Sequence, residues 1–112
     1  MTEDLHVLFV CSRNQWRSPT GEKIFARVSG VSARSAGTSR SARRRVTVAD
    51  IRWADMILVM EDKHKSRIKA EFRSETNFKP VYVLDIPDDY RFMDPELVEI
   101  IRDKTEAIIS GG

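Results

Sequence analysis

Apolar residues crowd one short stretch near the start of the chain, Leu5-His6-Val7-Leu8-Phe9-Val10, with little polar alternation. Such a run reads as a strand buried on both faces of a parallel sheet. Residues 31–36 read as a weaker second strand. Residues 55–61, centred on Met56-Ile57-Leu58-Val59-Met60, read as a third, and residues 81–84 as a fourth. Between the strands the period changes to that of helices. Ser18 suits a helix N-cap and Pro19 the first helical position, and Ile24, Phe25 and Val28 give an inward stripe ending near Gly30. Thr47 opens a short helix through Trp53. Asp62 opens another through about Phe72, with Ile68 and Phe72 facing inward. Asp94 and Pro95 start a last helix whose buried side is marked by Leu97, Val98, Ile101, Ala107 and Ile108, and Gly111 and Gly112 read as a frayed tail.

Strands alternating with helices predict the α/β class: a single domain over residues 1–112, with a four-stranded parallel sheet, right-handed crossovers and helices on both faces. Open sheets of this kind bind ligands beyond the carboxyl ends of their strands. Cys11 follows the first strand, and Asp85, Asp88 and Asp89 follow the last, so both segments are expected on one edge of the sheet.

Composition narrows the class further. The 112 residues carry a net charge of +2, too small to argue for a nucleic-acid partner. One cysteine excludes an internal disulfide, and with two histidines it leaves little for a metal site; no cofactor is expected. Met1 to Asp4 carry acid rather than base, and the apolar run after them is too short for a signal peptide or membrane span. A cytoplasmic protein without a membrane partner is the expectation. The charge is uneven, because Arg34, Arg40, Arg43, Arg44 and Arg45 fall close together. They read either as a solvated loop or as a positive rim attracting an acidic or phosphorylated substrate.

The candidate chemistry sits in Cys11-Ser12-Arg13-Asn14-Gln15-Trp16-Arg17-Ser18, between a strand and a helix start. A loop of this size can turn its backbone N–H groups toward one centre, as a tetrahedral oxyanion requires. Arg17 adds a planar fork of donors matching two phosphate oxygens. Cys11 lies below as a thiolate favoured by the converging dipoles, the helix N-terminus and Arg17. The alternative, a cysteine acting as a small buried hydrophobe, leaves the arginine and serine at this spacing unexplained. The implied reaction is attack of sulfur on phosphorus. A leaving oxygen then needs a proton, and Leu84-Asp85-Ile86-Pro87-Asp88-Asp89-Tyr90 offers three carboxylic acids. Aspartates in loops are also common turn-formers. Asp88 and Asp89 repel when both are ionised, which suits a proton donor. Tyr90 reads as a core residue or as a wall stacking on an aromatic leaving group. His6 reads as a satisfied core or edge residue, His64 as solvated, and Trp53 as core packing.

Together these residues resemble the low-molecular-weight protein tyrosine phosphatases. That family places Cys-x-Gly-Asn-x-x-Arg-Ser-Pro directly after its first strand, matched here by Cys11, Asn14, Arg17, Ser18 and Pro19. Its Ser-Ala-Gly-Thr strand end stands here as Ser35-Ala36-Gly37-Thr38. Its alanine-aspartate, apolar strand and methionine-acid match residues 54–61, and its isoleucine-proline-acid segment matches Ile86-Pro87-Asp88. The resemblance implies Cys11 as nucleophile, Arg17 as phosphate ligand and Asp88 as general acid. It further implies Asn14 shaping the loop and Ser18 hydrogen-bonded to the thiolate, with Ser12, Arg13, Gln15, Trp16, Asp89 and Tyr90 around the substrate. The chain departs from the pattern at Arg13, where the family has glycine at a left-handed corner, and at Trp16, where many members carry a second cysteine. Asp89 replaces a proline, and the segment between Gly37 and Asp55 is short. Gln15 matches neither the apolar residue of tyrosine phosphatases nor the threonine of arginine phosphatases. The expected partner is a phosphorylated protein or small phosphate ester, with phosphotyrosine in proteins as the leading substrate. A catalytically weak phosphate-binding module and an arsenate reductase using an external thiol are the competing readings. A cysteine-phosphorylated carrier is disfavoured by Arg17 and Asp88.

Overall fold

Successive side chains of a strand point to opposite faces, so a strand covered on both sides must be apolar at every position. Strand β1 (Leu5–Cys11) meets that condition from Val7 onward, where it is wholly buried, and it is the interior strand from which the architecture is built. The computed structural model describes residues 4–111. Its elements follow as α1 (Arg17–Phe25), β2 (Val31–Gly37), α2 (Val48–Trp53), β3 (Met56–Val59), α3 (Asp62–Glu71), α4 (Arg73–Thr76), β4 (Val81–Val83) and α5 (Pro95–Gly111). The four strands are parallel in the order β2-β1-β3-β4, the α/β sheet read from the sequence.

Alternation along β1 divides the core in two. Val7, Phe9 and Cys11 point to one side, packed with Phe25 of α1 and Leu97 and Ile101 of α5. Leu8 and Val10 point to the other, packed with Ile51 of α2 and Ile68 of α3. Phe9, Leu8, Ile51 and Ile101 are wholly buried, each contributing about 1.5–3 kcal/mol relative to exposure. Helix α1 lies close on the sheet because Gly21 lacks a Cβ; one built there would sit 2.6 Å from the Phe9 ring.

Several local expectations change. Helix α1 begins at Arg17 without a side-chain cap, so Ser18 is a first-turn residue rather than the N-cap, and Pro19 is the third helical residue. The Ser18 hydroxyl is instead recruited by the site below. Val28 is 39% exposed and Ala107 is exposed, so neither belongs to the buried stripes assigned to them. Asp62 is the first residue of α3, and Glu61 is its cap. The chain makes an additional turn, α4, where Thr76 donates its hydroxyl to the Phe72 carbonyl. Gly111 closes α5, while Met1 and Gly112 lie outside the described residues. Trp53 is half-buried at the sheet edge, stacked on His6 at 4.4 Å with the Arg34 guanidinium 4.2 Å over its ring. His6 accordingly has partners, including the Trp53 carbonyl at 2.9 Å from Nδ1. Among the described residues no helix is long and apolar enough to cross a membrane.

Candidate active site

The segment after β1 is held by backbone from the end of β2. Thr38 N–H donates to the Cys11 carbonyl, Ser39 N–H to Ser12 and Arg43 N–H to Arg13. This clamp needs Gly37, because a Cβ there would lie 2.5 Å from the Ser12 carbonyl oxygen. The left-handed corner of the loop is Asn14 (φ 54°), a residue type that tolerates this conformation, and not Arg13. The glycine absent from position 13 is therefore not required by the backbone. Asn14 is buried, and its amide donates to Ser18 Oγ at 3.0 Å and Ser35 Oγ at 2.9 Å. The Ser35 hydroxyl in turn donates a hydrogen bond to Glu22 Oε1 at 2.5 Å.

The Ser18 oxygen accepts from Asn14, which leaves one hydrogen to place. The Cys11 sulfur lies 3.0 Å away and the Ala36 carbonyl 3.4 Å away. The shorter contact joins Ser18 Oγ to the sulfur, with either atom able to donate.

Arg17 is only 2% exposed and is fixed before any ligand arrives. Its Nη1 donates to Glu61 Oε1 at 2.6 Å and to the Ile86 carbonyl at 2.7 Å. Its Nε lies 3.5 Å from Asp88 Oδ1. Asp85, in the left-handed conformation (φ 58°), turns the chain after β4 so that the Ile86 carbonyl reaches the guanidinium and Asp88 follows it over the loop. Burial works against the charge of Glu61, but the hydrogen bond and charge of Arg17 outweigh it and hold the carboxyl below its usual range.

Cys11, Ser12, Arg13, Gln15, Trp16, Arg17 and Asp88 line a cavity of about 130 Å³. Asn14 and Ser18 support it from beneath. Asp89 is exposed and does not line the cavity, and Tyr90 packs partly buried against the core cluster of α1 and α5, the first of its two sequence readings. The cation of Arg17, rather than the neighbouring acid, is the charge bridged to Asp88.

Two contributors escape sequence reading. Glu61 carries no motif of its own; its only signal is an acid at the carboxyl end of the strand beside β1. His64 is not solvated. It is 1% exposed, bonded through Nε2 to Ser12 Oγ at 2.8 Å and accepting at Nδ1 from the Glu61 N–H at 3.0 Å. An accepting Nδ1 requires the neutral ring with its proton on Nε2, so His64 donates to Ser12 and leaves the Ser12 hydrogen free for the cavity.

Burial, then the charge of Arg17, pushes the His64 pKa down from 6.5 to about 4. The unfolded chain therefore binds more protons than the folded one between those values. Stability is fully present above pH 6.5 and is lost as pH falls through this window. Glu61 and Asp50, whose folded pKa values are lowered, stabilise the fold across this window and begin to lose that contribution only as pH falls into the ordinary carboxylate range. Urea unfolding should show a loss of about 2 kcal/mol between pH 7 and pH 5. His64→Gln, which keeps a donor and an acceptor but does not titrate, should flatten that slope; an unchanged slope would contradict the assignment.

No protein-family model matches the chain, and no curated protein matches it. Solved structures do match. The low molecular weight protein tyrosine phosphatase SP-PTP from Streptococcus pyogenes superposes with a TM-score of 0.77 at 19% identity, over 95% of this chain and 91% of its own. The YwlE arginine phosphatase from Geobacillus stearothermophilus gives 0.70 at 20% identity, over 96% and 94%. The tyrosine phosphatase Wzb from Escherichia coli K30, solved with phosphate, gives 0.69 at 23% identity, over 99% of both chains. The chain has the fold of these low-molecular-weight phosphatases.

Proposed function

We propose that this protein is a cysteine-dependent phosphomonoesterase acting on phosphotyrosine in proteins. The observation that carries the reading is the convergence of Cys11, Arg17 and Asp88 on one small cavity, with Ser18 hydrogen-bonded to the sulfur. The substrate phosphoryl group sits above Cys11. Arg17 and the loop N–H groups hold its equatorial oxygens, and Ser12 adds a hydroxyl donor. The Cys11 thiolate attacks phosphorus, forming the S–P bond as the P–O bond to the leaving group breaks. Asp88 gives its proton to that oxygen. Asp88, now ionised, takes a proton from water, whose oxygen attacks phosphorus. The S–P bond breaks, releasing phosphate and the thiolate. Trp16, half-buried at the mouth, offers an aromatic face to a tyrosyl ring and favours this leaving group over an alkyl one.

Rates on phosphotyrosine, phosphoserine and phosphoarginine peptides test the substrate, and Asp88→Asn tests the acid. The variant should lose about 100-fold or more on phenyl phosphate, whose leaving oxygen needs a proton. It should lose far less on 4-nitrophenyl phosphate, whose leaving group departs as an anion. Should Asp89→Asn show that contrast instead, the proton donor is Asp89. Binding of phosphate without turnover of any ester would favour a phosphate-binding module.

A further inference from the structure

A second cavity opens on the other side of Ser12. It holds about 400 Å³ and is lined by Ser12, Ser39, Arg40, Lys63, His64 and Arg67, together with Thr38 at its edge. Three lining residues are cations and none is a carboxylate. This sets Arg40 apart from most of its neighbours in the sequence; among the described residues Arg43 is likewise outside the ion pairs, but it lines a different cavity beside Asn14 and Glu22. Arg34 and Arg44 are spent on the buried Asp50, and Arg45 on Glu71 at 2.7 Å. Among the described residues Arg40 pairs with no acid within 4 Å, while Lys63 reaches Glu61 and Arg67 reaches Glu71 only at 3.9 Å each. Like charges gathered around a concave site repel one another, and an anion placed among them relieves that cost. Hydroxyls of Ser39 and Thr38 supply further donors.

The position of this cavity gives it a role. Ser12 lines it and also lines the cavity over Cys11, so one side chain separates the two. The wall is rigid: the Ser12 carbonyl accepts from Ser39 N–H at 2.8 Å, and its hydroxyl oxygen accepts from the buried His64. We propose that the second cavity is an anion subsite for a second acidic group of the same protein substrate, a carboxylate or phosphoryl group on a residue next to the phosphorylated one. The inference rests on the phosphomonoesterase reading, since that reading places the first phosphoryl group on the far side of Ser12. It also resolves the arginine-rich stretch, which is neither a solvated loop nor a continuous positive rim; most of it is neutralised in place, and Arg40 is directed to this cavity.

The test uses three phosphotyrosine peptides that differ only in the adjacent residue: glutamine, glutamate or phosphoserine. Turnover is measured with the native protein, and equilibrium binding with Cys11→Ser. Acidic neighbours should raise kcat/KM and tighten binding about tenfold over glutamine, with a steep dependence on salt. The double variant Arg40→Gln, Arg67→Gln should abolish that preference while kcat/KM for 4-nitrophenyl phosphate stays within about twofold, because the small ester does not reach the second cavity. Preference for glutamate alone assigns a carboxylate, and preference for phosphoserine alone assigns a phosphoryl group. Equal turnover and equal binding of the three peptides overturns the subsite and leaves the phosphatase reading intact. Absence of turnover on every ester, with the binding preference retained, overturns the phosphatase reading and leaves the subsite. Loss of 4-nitrophenyl phosphate turnover in the double variant, with native thermal unfolding, also overturns the proposal, because the two arginines would then serve the first cavity.

Discussion

Cys11→Ser should abolish turnover, with a loss of at least about 10⁴-fold, while phosphate and vanadate still bind. The substitution changes one atom at the floor of a cavity whose other walls come from Arg17, Ser12 and the loop backbone. A serine hydroxyl at neutral pH holds its proton and is a poor nucleophile, and Asp88, the one carboxylate lining the cavity, is committed to the leaving oxygen in the proposed mechanism. Ser18 cannot serve, since a neutral hydroxyl is a poor base and its oxygen already accepts from Asn14. Single-turnover assays with 4-nitrophenyl phosphate measure the first effect and calorimetric titration with vanadate the second. Turnover at the native rate would remove the mechanism. Loss of both turnover and oxyanion binding, with native thermal unfolding, would show that the sulfur shapes the loop rather than attacks phosphorus.

Arg17→Lys should lower kcat/KM by about 100-fold or more, although the positive charge is kept. Arg17 divides its donors: Nη1 is anchored on Glu61 and the Ile86 carbonyl, and the Nε edge faces Asp88 and the cavity. A single ammonium cannot hold that anchor and also present a planar edge to two phosphate oxygens. At 2% exposure there is no room for water to fill the missing contacts. Glu61→Gln separates anchoring from binding. It keeps an acceptor for Nη1 but removes the countercharge, and should cost about tenfold, mainly in kcat, as the guanidinium loses its alignment. A lysine variant within a few-fold of native activity would show that charge alone suffices.

The parallel sheet and the two-sided core were legible because hydrophobic alternation and its absence are local properties of the chain, whereas the strand order came from the structure. Cys11, Asn14, Arg17 and Ser18 were legible for the same reason, since the loop that brings them together is built from consecutive residues. The helix-cap reading of Ser18 fails, because a serine before a proline satisfies that pattern too, while its other expected place, beside the Cys11 sulfur, is occupied at 3.0 Å. His64 shows the opposite error. Its neighbours Asp62, Lys63 and Lys65 are charged, so a solvated helix turn was the natural expectation, yet it packs under the cysteine loop through a residue 52 positions earlier.

The sequence by itself therefore determined the α/β class, the parallel sheet, the loop that carries Cys11 and Arg17 and the acidic segment after the last strand, because each is written in residues close together along the chain. The tertiary structure alone decided which acid stands over the loop. It also brought Glu61 to Arg17 and His64 to Ser12, and separated Arg40 from the arginines neutralised by Asp50 and Glu71. Those outcomes depend on distances across strand ends, and a parallel sheet sets them by bringing the ends of β1, β3 and β4 side by side, far apart in sequence and a few ångströms apart in space.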